Sequence, residues 1–193
     1  MCKHITLTMK RIFFIFLTII SFTTYGQDKY NYAQFNKLTA VAGTPYVIAS
    51  IENSGKVLEA KSRYLLFINT TTSDTKQVDF PNDAEIGKIE QIKIDSLNLN
   101  LILVSAKTID LDGKSGIDWN DPTQLIILSA DGKTKTQLTA NNFFAKTWTV
   151  NRFTGTLVVT GNQDTNNNNK YDKEDKSELH IYNLKTLKLI NKI

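Results

Sequence analysis

The chain has 193 residues with 23 Lys and Arg, 19 Asp and Glu, one Cys and two His, for a formal charge of +4. The basic excess sits at the start: Lys3, Lys10 and Arg11 precede residue 27 and no acid does, which leaves 20 basic and 19 acidic side chains from residue 27 onward. That balance implies no basic surface for nucleic acid. Cys2 and His4 lie in the same early stretch, so the remainder has no disulfide, no thiolate metal site and a single histidine, His180. His-rich zinc sites and Cys-His dyads are excluded, and a Ser-His-Asp triad would have to use His180.

Residues 12–22 (IFFIFLTIISF) form an apolar run behind Lys10-Arg11 and ahead of Thr23-Thr24-Tyr25-Gly26. A basic start, an apolar run of this length and small residues at Thr24 and Gly26 are the parts of a secretion signal, with cleavage expected before Gln27. Met9 serves equally as a start. The competing reading is a membrane anchor, but a spanning helix needs about 20 apolar residues. Residues 1–26 are therefore expected to be a signal peptide, 27–44 an N-terminal segment and 45–193 one domain. The mature protein is expected in the periplasm or outside the cell, with no further membrane span.

Tyr30 to Leu38 is ambiguous between helix and strand. From residue 45, short β-branched and aromatic blocks alternate with Asn, Asp, Gly, Ser and Thr, the pattern of strands. They fall at 45–52, 63–69, 75–80, 88–95, 98–106, 123–130, 134–139, 145–151, 155–161, 177–184 and 186–190. Asp131-Gly132 between two blocks marks a tight hairpin. The blocks repeat. At an offset of 54, Leu103-Val104 aligns with Leu157-Val158, Asp110 with Asp164, Asp118 with Asp172, Asp121 with Asp175, Leu125 with Leu179 and Ile127 with Ile181. A weaker copy precedes them, with Val47-Ile48-Ala49-Ser50 like Ile102-Leu103-Val104-Ser105 and Tyr64-Leu65-Leu66 like Leu125-Ile126-Ile127.

Each unit reads strand, strand, long loop, strand, turn, strand. The fold class expected is all-β, with about three antiparallel four-stranded units arranged like propeller blades. The alternative is a β-meander or barrel. The closing phrases from Ile127 to Thr139 and from Ile181 to Ile190 resemble those of TolB-type β-propeller repeats. Closed propellers typically have at least four blades, so three units leave an open stack, a short sheet-rich domain or a homo-oligomer that completes itself.

The long loop of the third unit runs Asp164-Thr165-Asn166-Asn167-Asn168-Asn169-Lys170-Tyr171-Asp172-Lys173-Glu174-Asp175. Numbered 1 to 12, it places oxygen side chains at 1, 3, 5, 9 and 12, and it resembles a dockerin or EF-hand calcium loop with Asp at the end. The resemblance implies a structural Ca²⁺ held by Asp164, Asn166, Asn168, the Lys170 carbonyl, Asp172 and Asp175. Position 6 demands a left-handed backbone, which Asn169 tolerates next best after Gly. The second unit repeats the frame at 110–121, with carboxylates at Asp110, Asp112, Asp118 and Asp121. Lys114 stands at position 5 there, so a weaker or empty site is expected. The corresponding region of the first unit, from about Glu52 to Ser62, lacks the spacing. The plain alternative for all these loops is turn chemistry alone.

Two functions fit. One is a non-catalytic binding or scaffold protein, stiffened by calcium, with a protein or glycan partner. The other is a carboxylate-dependent hydrolase of glycosidase type, though no G-x-S-x-G elbow is present. Glu85, Glu90 and Glu178 read as a solvated face. His180 beside Tyr182 reads as structural or as a base. Trp119, Trp148 and Phe143-Phe144 read as core packing or as a ligand platform.

Overall fold

The computed structural model describes residues 35–50, 64–81, 84–114 and 116–193. The signal peptide expected at 1–26 and the region around 52–62 lie outside them. Among the described residues no helix is long and apolar enough to cross a membrane.

The chain is all-β. Among the described residues twelve strands form three separate four-stranded antiparallel sheets, each built from consecutive strands. The first sheet holds β1 (Lys37–Ala40), β2 (Tyr46–Ser50), β3 (Tyr64–Asn69) and β4 (Thr75–Asp79). The second holds β5 (Glu85–Ile94), β6 (Leu99–Lys107), β7 (Gln124–Ser129) and β8 (Lys135–Gln137). The third holds β9 (Phe143–Asn151), β10 (Thr156–Gln163), β11 (Lys176–Asn183) and β12 (Lys188–Lys192). All eleven strand blocks read from the sequence are present, and no sheet closes into a barrel. β1 is the strand the periodicity missed: four residues on a sheet edge, mostly exposed, offer no alternation to read.

Two apolar layers hold the sheets together. Between the first and second sheets, Ile48, Leu65, Phe67 and Val78 meet Ile102, Val104, Ala106, Ile126 and Leu128. Between the second and third, Leu103, Leu125 and Ile127 meet Phe143, Leu157, Val159 and Tyr182. The second sheet is thus covered on both faces, which is why β6 and β7 read as unbroken apolar runs and not as alternation. Turns from either side also reach its first strand. Gln91 donates to the Ala42 carbonyl and accepts from the Ala42 N–H, both at 2.9 Å. Arg152 donates to the Lys93 carbonyl at 2.9 Å.

The pairing registers correct the repeat in one respect. Ile48 pairs with Phe67, Leu103 with Ile127 and Val158 with Ile181. The second strands of the units therefore match at an offset of 55, while the loops and the third strands of the last two units match at 54. Leu103 is equivalent to Val158, not Leu157. A one-residue difference reverses every side chain, and Leu157 accordingly points the opposite way from its sequence counterpart Leu103, the two meeting in the layer between the second and third sheets.

Three hairpins share one turn. Asn69, Asn151 and Asn183 each accept, through Oδ1, the N–H groups two and three residues on. The fifth residue of each turn is left-handed: Ser73 at φ 63°, Gly155 at 67° and Leu187 at 55°. The Asp131-Gly132 hairpin forms too, but only Gly132 is left-handed, at φ 70°. A Cβ there would lie 2.7 Å from the Phe67 ring, so glycine also lets this turn press on the first sheet.

Leu125→Ala, at a fully buried position, should cost about 2–5 kcal/mol of stability. Phe153→Ser, at a turn tip 92% exposed, should change it by less than about 0.5 kcal/mol. Denaturant unfolding of both variants checks the layer assignment.

Candidate metal centre

The loops joining β6 to β7 and β10 to β11 carry the sequence-predicted ligands. In the third sheet's loop the Asp164 carboxylate accepts the N–H groups of Asn168 (3.2 Å) and Asn169 (3.0 Å). Asn166 Oδ1 accepts from Asn168 N–H at 3.1 Å, and Asn168 Oδ1 from Lys170 N–H at 2.9 Å. Asp172 accepts from Glu174 N–H at 2.8 Å. Asp175 bridges the ends of the loop, accepting from Thr165 N–H at 3.4 Å and Asp172 N–H at 2.9 Å. The backbone is left-handed at Asn167 (φ 56°) and at Asn169 (φ 62°), the second being the position where the frame demands it.

The second sheet's loop repeats this frame at positions 3, 9 and 12 and departs from it at position 1. Asp110 accepts from Gly113 N–H (2.7 Å) and Gly116 N–H (3.1 Å). Asp112 accepts from Lys114 N–H at 3.1 Å, and Asp118 from Asn120 N–H at 2.8 Å. Asp121 accepts from Leu111 N–H at 2.8 Å and Asp118 N–H at 2.7 Å. Positions 3, 9 and 12 thus make equivalent bonds in both loops, whereas position 1 accepts from positions 5 and 6 in the third sheet's loop and from positions 4 and 7 in the second's. A second difference is at position 5. Asn168 supplies an oxygen there, whereas the Lys114 ammonium stands 3.7 Å from the Asp112 carboxylate and offsets its charge.

The loops also differ in how many carboxylates they bury, the second sheet's loop burying Asp121 alone. Asp164 and Asp175 are buried, yet among the described residues neither they nor Asp172 has a Lys or Arg partner within ion-pair distance. Their donors are neutral amides, which stabilise a buried carboxylate only in part. The Glu174 N–H, then the Asn168 and Asn166 amides, hold the Asp172 carboxyl below its ordinary value, keeping it ionised. Among the described residues no three His, Cys, Asp or Glu side chains form a metal-holding group on their own. A full set of ligands in the third loop therefore requires Asn166, Asn168 and the Lys170 carbonyl.

Two contacts were missed by sequence reasoning. Asn166 also donates to Glu174, at 3.2 Å. Asn162, buried in β10, donates to the Asp175 carbonyl at 3.3 Å while its own Oδ1 has no partner. Neither Glu174 nor Asn162 belongs to the repeating pattern, so spacing alone could not find them.

The other candidates separate cleanly. Phe143 and Phe144 are buried, and Trp148 packs against the second apolar layer. Trp119 is 83% exposed in the second sheet's loop, where core packing is not its role. His180 is 2% exposed, stacked on Phe143 with ring centroids 3.9 Å apart. Its Nε2 lies 2.8 Å from Glu178 and its Nδ1 3.2 Å from the Tyr182 hydroxyl. Burial on that scale leaves no path for a substrate to His180. Glu178 is not on a solvated face either, since its side chain is only 12% exposed and lies within 4.0 Å of Lys176 and Lys192 as well as His180. Residues 178, 180 and 182 share a strand face, so the period of two was the signal for this group. Glu85 and Glu90 pair with Lys107 and Lys88.

No protein-family model matches the chain, and no curated protein matches it.

The hydrogen bond from His180 holds the Glu178 carboxyl below its ordinary value of 4.5. A depressed carboxylate contributes stability above that value and loses it as pH falls. Burial raises the Tyr182 phenol to about 12 from 10.0, so its contribution is complete below pH 10 and fades above it. Melting temperature against pH should fall at both ends. Glu178→Gln should flatten the acid limb and Tyr182→Phe the alkaline limb, each leaving the other intact.

Proposed function

We propose that this is an exported, non-catalytic β-propeller-like binding protein whose Asp/Asn loops hold Ca²⁺ as a structural ion. The observation that carries the reading is the shared hydrogen-bond frame of the two twelve-residue loops. In each, main-chain N–H groups fix the side chains at positions 1, 3, 9 and 12 around one loop. The third sheet's loop buries two carboxylates without a basic partner, Asp164 and Asp175, where the second sheet's loop buries one, Asp121. A hard divalent cation with oxygen ligands answers that arrangement.

The ligands are Asp164, Asn166, Asn168, the Lys170 carbonyl, Asp172 and Asp175. The set at Asp110, Asp112, Asp118 and Asp121 is weaker, because Lys114 supplies in place a positive charge that the ion would otherwise bring. Strands flank both loops, so the ion stiffens a connection and opens no helix pair. Affinity in the range of about 10⁻⁴–10⁻³ M suits the periplasm or the extracellular space. The TolB-like closing phrases agree with a binding role, its partner a protein or a glycan.

Titration calorimetry on the chelator-treated mature protein is the test. One site should appear, and calcium at 100 times its Kd should add about 2.7 kcal/mol of stability. Asp164→Asn, which keeps the acceptor and removes the charge, should weaken binding at least tenfold, while Asp110→Asn should leave the main site unchanged. No heat and no shift in melting temperature would end the metal assignment.

A further inference from the structure

Among the described residues two faces of the stack have no covering sheet, and its internal layers define what fits them. The pairs Ile48–Phe67, Leu103–Ile127 and Val158–Ile181 occupy equivalent positions in the three sheets. The first pair is buried against the second sheet and the second pair against the third. Val158–Ile181 faces outward, half-buried. The opposite faces behave in the same way. Ile102–Leu128 is buried against the first sheet and Leu157–Tyr182 against the second, whereas the equivalent Val47–Ile68 of the first sheet faces outward.

The outward face of the third sheet does not have the composition of a solvated sheet. On β9 from Thr147 to Asn151, β10 from Thr156 to Thr160 and β11 from Leu179 to Asn183, every outward position is Thr, Asn, Val, Leu or Ile. Lys188, on the edge strand β12, is the first charge. Leu179 is 37% and Ile193 67% exposed, and the two residues pair through their backbones. On the first sheet, Leu38 (70% exposed) extends the face made by Val47, Leu66 and Ile68.

We infer that the outward face of the third sheet docks onto the outward face of the first sheet of a second copy, continuing the head-to-tail order of the chain's own layers. Such a contact is heterologous and closes into a ring when the rotation permits. Two copies then supply six sheets, within the range of known propellers. The inference is independent of calcium.

The mature protein is examined by sedimentation velocity from 1 to 100 μM, in calcium and in chelator. Twice the monomer mass is expected in both. Ile181→Lys, on the third-sheet face, and Ile68→Lys, on the first-sheet face, should each block closure of the ring. An equimolar mixture of the two variants should still form a heterodimer through its one intact contact. Thr149→Lys, at an exposed position on the third-sheet face, serves where Ile181→Lys does not fold. A monomer at 100 μM overturns the inference, as does a dimer that survives both face substitutions, which would place the contact elsewhere. Loss of the dimer in chelator alone would overturn the independence from calcium.

Discussion

A four-stranded sheet with apolar side chains on both faces cannot stand in water by itself, and every other feature of this molecule follows from how those faces are covered. The second sheet carries that constraint most fully. Leu103, Leu125 and Ile127 point one way and Ile102, Val104, Ile126 and Leu128 the other, all buried. Its two neighbours are each built from half of the same pattern. Burial on the order of 1.5–3 kcal/mol per large apolar side chain makes the two layers the dominant stabilising term, well above the exposed ion pairs such as Lys88–Glu90.

Covered sheets in turn position the loops. β6 and β7 pair up to Ala106 and Gln124, and Gln124 reaches back to hold the Thr108 N–H and hydroxyl at 2.9 and 2.8 Å. In the third sheet the equivalent region is tighter. Gly161 lies so close to Phe143 and the Phe144 carbonyl that a Cβ would sit 2.5 Å from each. Gln163 and the Asp164 N–H both reach the Asn142 carbonyl. The loop at 164–175 therefore starts from a fixed point, and its carboxylates are oriented by its own N–H groups, with no need for contact from a distant element.

That locality explains what could be read from the sequence. Strand blocks and calcium-like frames rest on spacings of two and twelve residues within one segment, so the chain states them directly. The tertiary facts do not. The shift of β10 by one residue relative to its loop is invisible in an alignment where Leu157-Val158 matches Leu103-Val104 so well, and only cross-strand pairing reveals it. β1 has too few residues for a period. Exposure of Trp119 beside buried Phe143 depends on which layer each loop meets, and composition carries no record of that.

The corrected register gives His180 a meaning. It stands where the first and second sheets have Leu66 and Ile126, and Tyr182 stands where they have Ile68 and Leu128. A purely apolar strand can slip by two residues and still bury apolar side chains, because the period is two. A strand carrying His180 and Tyr182 cannot do so as cheaply. Slippage would separate the imidazole from the Phe143 ring on β9 and strand a buried polar group at a cost of about 1–3 kcal/mol. The buried group thus works against misregister in a terminal sheet whose outer face has no covering sheet among the described residues, and that sheet also holds the better-formed loop. Register there fixes the distance from β11 back to Asp175, and so the geometry of the ligands at the loop's end.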